Sequence, residues 1–252
     1  ACCAHYITCV WGGTSTDGAL GPGEIKETTS ANVGGYPIGV PMIDIQTVGA
    51  GGGSIARVDT GGALVVGPES AGADPGPACY GKGDQLTVTD ANLLLGRLLP
   101  DRFLAGRMTL DRDRVVRLMS DLAVQINSDG IQTALGINRV VNANMERAIR
   151  SISLERGYDP RLFTLVPFGG AGAMHACELA QELGIPRILV PSTPGILSAL
   201  GVAIADIVKD YSRTVMLRGA DLERSRLAEE FIGMERSALH RKLKTLGVKG
   251  VN

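Results

Sequence analysis

The sequence predicts an α/β fold, a mixed sheet covered by helices, on three observations. Short β-prone runs separated by glycine turns occupy the N-terminal part. A single apolar stripe at helical spacing runs through the middle. Strand-like and helix-like patterns then alternate from residue 162 onward.

Residues 6 to 11 (YITCVW) are apolar and β-prone and run into Gly12-Gly13. With Ala19 and Leu20 following Asp17, residues 6 to 20 read as a hairpin with a glycine turn. Residues 54 to 67 read as a second hairpin around Thr60-Gly61-Gly62. Thr89 precedes DANLLLGRLL, a short helix with an N-cap hydroxyl, closed by Pro100. Asp111 to Ile126 is the next helix. From Ile131, apolar residues at 134, 137, 141, 145, 148 and 152 repeat at 3,4 spacing, with Asp129-Gly130 and Gly157 marking the ends. LFTLVPF (162 to 168) reads as a buried strand, followed by a glycine turn and the helix GGAGAMHACELAQELG. Next come a short strand RILV (187 to 190), a helix from Ser192 or Pro194 to about Asp206, and a strand near 208 to 217. The last helix puts Leu227, Phe231, Met234 and Ala238 on one face and ends at Gly247.

Composition narrows the function classes. At 252 residues, 44% hydrophobic and 20% charged, the chain is long enough for one substantial core. Aromatics are 4%, too sparse for base-stacking surfaces, and 25 basic against 26 acidic residues imply no polyanion partner. No nucleic-acid partner is therefore expected. No apolar run approaches the roughly 20 residues of a membrane span, and the N-terminus has no basic region of a signal peptide. Five cysteines, an odd number without a CxxC, point to reduced thiols and a cytoplasmic protein. Cys2, Cys3 and His5 are a weak metal set, because adjacent cysteines chelate poorly. The chain opens on alanine rather than methionine, as a fragment or processed chain would.

Residues 47 to 81 hold ten of the 34 glycines and three of the 12 prolines, with Ile55, Val58, Leu64, Val65 and Val66 interspersed. Those apolar side chains distinguish it from a disordered linker, so it reads as ordered loop and hairpin beside a functional surface. Two shorter loops carry more chemistry. In Gly12-Gly13-Thr14-Ser15-Thr16-Asp17, two glycines bring backbone N–H groups to an anion, three hydroxyls can donate to phosphate, and a carboxylate suits Mg²⁺. A tight turn with local Ser and Thr bonds explains the same residues. Phe168-Gly169-Gly170-Ala171-Gly172 ends a strand and opens a helix, where free N–H groups and the positive helix end favour anions. Close helix–strand packing also calls for glycines there. His175, in the first helical turn, is a packed core residue or a catalyst. Arg57, Asp59, Glu69, Asp74 and Asp90 read by default as salt-bridge or capping residues, and Arg147 and Arg150 as solvated. Cys79 is a candidate nucleophile without a histidine nearby in sequence.

The segments GGTSTD (12 to 17), PMIDIQTVGAGGGSIARVD (41 to 59), VGPESAGADPGPACYG (66 to 81) and TVTDANLLLGRL (87 to 98) resemble the hydantoinase A/5-oxoprolinase family. So do NMERAIRSISLERGYDPR (144 to 161), FGGAGAMHACELAQELGI (168 to 185) and PSTPGILSALG (191 to 201). That family includes ATP-using subunits of acetone and acetophenone carboxylases. The resemblance implies an actin-like (ribonuclease H-like) ATPase lobe, a mixed sheet with helices on both faces and a glycine-rich hairpin and loop insertion. It implies ATP and Mg²⁺ as cofactors: Gly12, Gly13, Thr14, Ser15, Thr16 and Asp17 would face phosphate and metal, and Gly169, Gly170 and Gly172 the nucleotide. Asp17 and His175 are the catalytic candidates, with Asp17 also the metal ligand.

The reaction implied is ATP-dependent opening of a small cyclic amide such as 5-oxoproline or a hydantoin. Partners implied are a hydantoinase B-type subunit or domain and an N-terminal lobe that this chain lacks, in an oligomer. One departure stands out. The residue two before Gly12 is usually acidic in the family, and here it is Val10, followed by Trp11. Residues 1–11 are accordingly expected to be an atypical segment or truncation junction, 12–217 the ATPase lobe and 218–252 a C-terminal helix. An ATP-using carboxylase subunit, or a non-catalytic interaction module lacking the first lobe, are the rival expectations.

Overall fold

The computed structural model describes residues 5–206, apart from 24, 26, 29, 30, 34, 40 and 41. The chain divides into two units, Ala1–Leu200 and Gly201–Asn252. Of the second, only residues 201–206 are described, so the strand expected near 208 to 217, the last helix and the boundary at 217 lie outside the described residues.

The expected first hairpin forms as β1 (His5–Trp11) and β2 (Thr16–Pro22). Two short antiparallel pairs follow. β3 (Glu27–Thr28) pairs with β6 (Met42–Ile43), and β4 (Ala31–Val33) with β5 (Tyr36–Ile38). β7 (Ile45–Val48) then joins β2 antiparallel. The second expected hairpin is β8 (Ser54–Val58) with β9 (Leu64–Ser70), its turn closed by the Asp59 carboxylate, which accepts from the N–H groups of Gly61 and Ala63 at 2.9 Å each.

The helices are α1 (Val88–Leu94), α2 (Arg112–Gln125) and α3 (Gly130–Ile152). After them come β10 (Thr164–Gly169), α4 (Gly172–Leu183), β11 (Arg187–Ile188) and α5 (Leu197–Ile204). Asp111 and Asp129 cap α2 and α3 by accepting from Arg114 and Gln132 N–H. Three ends differ from expectation. The N-cap of α1 is Thr87, not Thr89, because the Asp90 carboxylate reaches back to the Thr87 N–H at 2.8 Å. The same helix stops near Leu95, since Gly96 turns the chain at φ 73° before Pro100 is reached. α3 ends at Ile152 rather than Gly157; Gly157 instead closes the one-turn 3-10 helix Leu154–Arg156.

The principal sheet has the order β11-β10-β1-β2-β7, with β10 and β11 parallel to β1 and β2 antiparallel to both its neighbours, β1 and β7. An antiparallel β1-β2-β7 meander extended on the β1 side by two parallel strands is the arrangement expected of an actin-like lobe. β1 is its central strand, and Ile7, Cys9 and Trp11 are buried. The boundary expected at residue 11 is therefore corrected: it would cut between the strands of the β1–β2 hairpin, whose register runs unbroken from His5–Pro22 to Trp11–Thr16.

Register sorts the sheet into two faces, because alternate residues point oppositely. Ile7, Cys9 and Trp11 share one face with Thr16 and Leu20. Against it pack α3, through Ile152 at Gly18, and α4, through His175 on Trp11. Helices on both faces were expected; the opposite face carries Tyr6, Thr8, Val10 and Asp17, all partly exposed. The buried stripe of α3 runs Ala134, Ile137, Val141, Met145, Ile149, Ile152. Ile149 replaces the anticipated Ala148, as a 3.6-residue period dictates. Each fully buried Ile, Leu or Met contributes about 1.5–3 kcal/mol. No helix among the described residues is long and apolar enough to cross a membrane.

Candidate functional site

The β1–β2 turn is tight. Gly12 N–H donates to Ser15 O at 3.0 Å, leaving Gly13 and Thr14 exposed at the tip. Behind this tip runs the start of the glycine-rich stretch. Gly52 N–H donates to Gly12 O at 3.2 Å and Gly53 N–H to Gly13 O at 2.5 Å. Thr16 Oγ1 donates to Ala50 O at 2.5 Å, and the Thr14 and Ser70 hydroxyls pair at 3.2 Å. Thr89 holds the other side, its N–H and Oγ1 each donating to Gly52 O at 2.8 Å. The long stretch is thus a strap bonded directly to the β1–β2 hairpin.

A cavity of about 590 Å³ opens in front of these loops. Gly12 and Gly13 line it from the hairpin, Gly52 and Tyr80 from the strap, Thr89 from α1, and Gly170, Ala171 and Met174 from the β10–α4 connection. Arg97, Leu98, Leu99, Arg102, Phe103 and Leu104 form the remaining wall. The two loops singled out in the sequence meet at one site.

The glycines separate into two kinds here. A Cβ at Gly51 would sit 2.8 Å from Thr14 C, and one at Gly53 2.8 Å from Gly13 O, so close packing requires both. Gly169 has φ 92° and a Cβ there would collide with Trp11 O; it is a conformational and packing glycine. At Gly13 and Gly170, both cavity-lining, a Cβ would meet no atom within 4 Å, and neither has a left-handed φ. Nothing among the described residues demands glycine at these two positions. A side chain there would stand in open space at the cavity's edge. Gly172 lies at ordinary contact distance from Pro167, beneath the loop rather than in the cavity.

His175, expected as a packed core residue or a catalyst, does not line the cavity. It is fully buried, and both ring nitrogens are used. Nδ1 donates to Asn142 Oδ1 at 2.7 Å, and Nε2 accepts from Asn92 Nδ2 at 3.1 Å. Burial, and then the Arg97 charge, lower its pKa from 6.5 to about 3, so the ring is neutral. Asn138 Nδ2 donates to Asn92 Oδ1 at 3.0 Å, and Asn142 Nδ2 donates to Glu178 Oε2. Glu178 Oε1 then holds Arg97 Nη2 at 2.5 Å. A polar chain therefore runs from the core through α1, α3 and α4 to the cavity wall. Sequence reasoning missed Asn92, Asn142, Glu178 and Arg97. The one signal for them was a lone arginine inside the apolar run LLLGRLLP.

Asp17 lies on the face opposite Trp11, outside the cavity lining, and accepts from Thr47 Oγ1 at 2.6 Å. Ser15 and Thr16 also do not line it, and Thr16 is buried. Among the described residues no group of three or more His, Cys, Asp or Glu could hold a metal ion, and His5 meets Phe163 edge-on. Asp90 is fully buried and accepts from Ala78, Cys79 and Thr87 N–H and from Thr87 Oγ1, all within 3.1 Å. Cys79 is no nucleophile in this setting: burial, and then the neighbouring Asp90 charge, push its thiol strongly upward. Glu69 pairs with Arg57 and Asp74 with Lys82, while Arg150 pairs with Glu146.

The sheet order is that of an actin-like lobe, and the two glycine loops converge on one cavity. The chain belongs to the hydantoinase/oxoprolinase family, whose model matches residues 3–211. It is 42% identical over 250 residues to the caprolactamase subunit alpha of Pseudomonas jessenii, covering 98% of this chain and 34% of that protein. It is 44% identical over 207 residues to the 5-oxoprolinase PfmaA of Pestalotiopsis fici, covering 78% of this chain and 16% of that one. Among solved structures, the nucleotide-free acetone carboxylase superposes with TM-score 0.81 at 26% identity, over 99% of this chain and 36% of that chain. The ATP-dependent caprolactamase from Pseudomonas jessenii superposes with TM-score 0.77 at 39% identity, over 98% and 36%. The chain spans about a third or less of the length of these relatives.

Proposed function

We propose that this chain is the nucleotide-binding lobe of an ATP-dependent enzyme that opens cyclic amides. The observation carrying this reading is the pair Gly13 and Gly170: two glycines from separate loops, facing one cavity, with no internal reason to lack a side chain. ATP-dependent caprolactamase and the 5-oxoprolinases, relatives at 38–44% identity, support the reaction class.

The donor set fits a nucleotide. Gly13 and Thr14 at the exposed tip offer backbone N–H and hydroxyl groups to phosphate oxygens. Gly170 and Ala171, opening α4, present the positive end of a 12-residue helix. Mg²⁺ bound with phosphates takes one or two carboxylates; among the described residues none lines this cavity, and Asp17 lies on the other face of the hairpin, so these residues do not fit the ion. Bound ATP would supply the phosphoryl group that turns the amide carbonyl oxygen into a leaving group. The chain's own part is positioning and charge neutralisation, which dominate the catalysis of phosphoryl transfer. Tyr80, Leu98, Leu99, Phe103 and Met174 keep the cavity wall apolar, which strengthens every polar contact within it. His175 is a positioning residue: its ring props Trp11, which leads directly into Gly12. A hydantoinase B-type partner is part of the proposal, supported by the subunit name of the caprolactamase relative.

A second reading has one observation in its favour, the superposition on acetone carboxylase. Turnover separates the two. ATP hydrolysis by the enzyme containing this chain should rise with 5-oxoproline, hydantoin or caprolactam. A rise only with acetone and bicarbonate would replace the lactamase reading by the carboxylase one, and no binding of Mg-ATP would leave an interaction module.

A further inference from the structure

The wall formed by residues 97–104 is unexplained by the hairpins. It lines the same cavity as Gly13 and Gly170, yet it lies outside both loops. Its charges are one-sided: Arg97 and Arg102 line the cavity, and no aspartate or glutamate does so among the described residues. Arg97 is anchored from behind. Glu178, which takes its Nη2, belongs to a neighbouring cleft with Asn138, Asn142 and Glu146. Arg102 makes no ion pair among the described residues. It sits in a segment held out of ordinary conformation: Leu104 and Ala105 are non-glycine residues at φ 49° and 58°. Backbone of that kind is strained and concentrates at ligand clamps. Tyr80 and Phe103, ring centroids 5.6 Å apart, flank the charge with apolar surface.

We propose that Arg97 and Arg102 form an anion-binding end of the cavity that receives the negatively charged group of its ligand. That group is a carboxylate on the cyclic amide or a phosphate of the nucleotide, two sources of one chemistry. The inference rests on the cavity being the ligand site of the proposed ATP-dependent enzyme. A cation beside apolar walls attracts an anion more strongly than one in open water, because there is less solvent to screen it. The guanidinium fork matches either oxyanion in a bidentate pair. Glu178 orients Arg97 for this without entering the cavity.

The test is Arg102→Gln, an exposed substitution with no internal partner to lose, alongside Arg97→Lys, which keeps the charge and loses the fork. Binding of Mg-ATP, 5-oxoproline and uncharged caprolactam is measured calorimetrically on the purified protein, with melting temperature as the folding control. A lost charge-assisted contact weakens binding about tenfold or more. A tenfold weaker 5-oxoproline complex with caprolactam unchanged identifies the carboxylate source. A tenfold weaker Mg-ATP complex identifies the phosphate source. Affinities for all three within twofold of wild type in Arg102→Gln, at unchanged melting temperature, overturn the proposal. So does a wild-type protein that binds neither anionic ligand. Binding of these ligands without any ATP turnover would instead overturn the lactam-opening reading alone.

Discussion

The imidazole of His175 lies on the indole of Trp11, ring centroids 3.6 Å apart at 38°, one residue before the glycine turn that faces the cavity. The contact joins α4 to the central strand at the point where the chain leaves the core for the site. A buried neutral histidine with both nitrogens bonded holds this position by shape and by hydrogen bonds, not by charge.

Stability should therefore depend on His175 at acid pH. Its folded pKa is about 3 against an ordinary 6.5, so below 6.5 the unfolded chain binds a proton that the folded one refuses. The stabilisation is complete above pH 6.5 and is lost as pH falls toward 3, at up to about 1.4 kcal/mol per pH unit. Urea titrations of wild type and His175→Gln between pH 7 and 4 check this. The variant is less stable at pH 7 but loses less of its stability on acidification.

Asp90 ties the strap to α1. Its carboxylate serves three backbone N–H groups and one hydroxyl. Asp90→Ala leaves those buried donors unpaired and should cost ~3–5 kcal/mol. Asp90→Asn keeps the shape and part of the acceptance and should cost less. Denaturant midpoints give the order; equal costs would contradict it.

The two kinds of glycine should respond oppositely. Gly53→Ala forces a Cβ against Gly13 O and Ser70 Oγ, both under 3.0 Å, and should lower the melting temperature. Gly13→Ala meets no protein atom within 4 Å and should leave stability within about 0.5 kcal/mol of wild type. Differential scanning calorimetry of the two variants is sufficient.

The described cysteines should label in a fixed order. Cys177 is exposed, whereas Cys9 and Cys79 are buried. The Cys9 thiol is pushed up to about 12 by burial and then by Asp17, and burial and then Asp90 raise Cys79 further. Peptide mapping after brief maleimide treatment at pH 7.5 should find Cys177 modified first, and Cys9 and Cys79 only after unfolding.

Local pattern made most of this fold legible. Both hairpins, the α3 stripe, the β10 strand and the acid at the start of α1 were readable from turn residues, period and caps. What stayed hidden was tertiary. The Asn92–His175–Asn142–Glu178–Arg97 chain joins residues up to 83 positions apart, and no spacing rule brings such residues together. The glycines posed a related problem. Sequence assigns Gly169 and Gly170 to one motif, but only the placement of Trp11 and the cavity shows that one packs and the other makes room. The 47–81 stretch changes most in meaning: its bonds to Gly12, Gly13 and Thr16 make it the backing of the hairpin.

The most direct measurement is calorimetric titration of Mg-ATP into the purified protein and its Gly13→Val and Gly170→Val variants. Saturable binding to the wild type, weakened at least about tenfold in both variants at unchanged melting temperature, is the predicted result. Equal affinity in all three proteins, or no saturable binding to the wild type at millimolar Mg-ATP, would contradict a nucleotide site between these two loops.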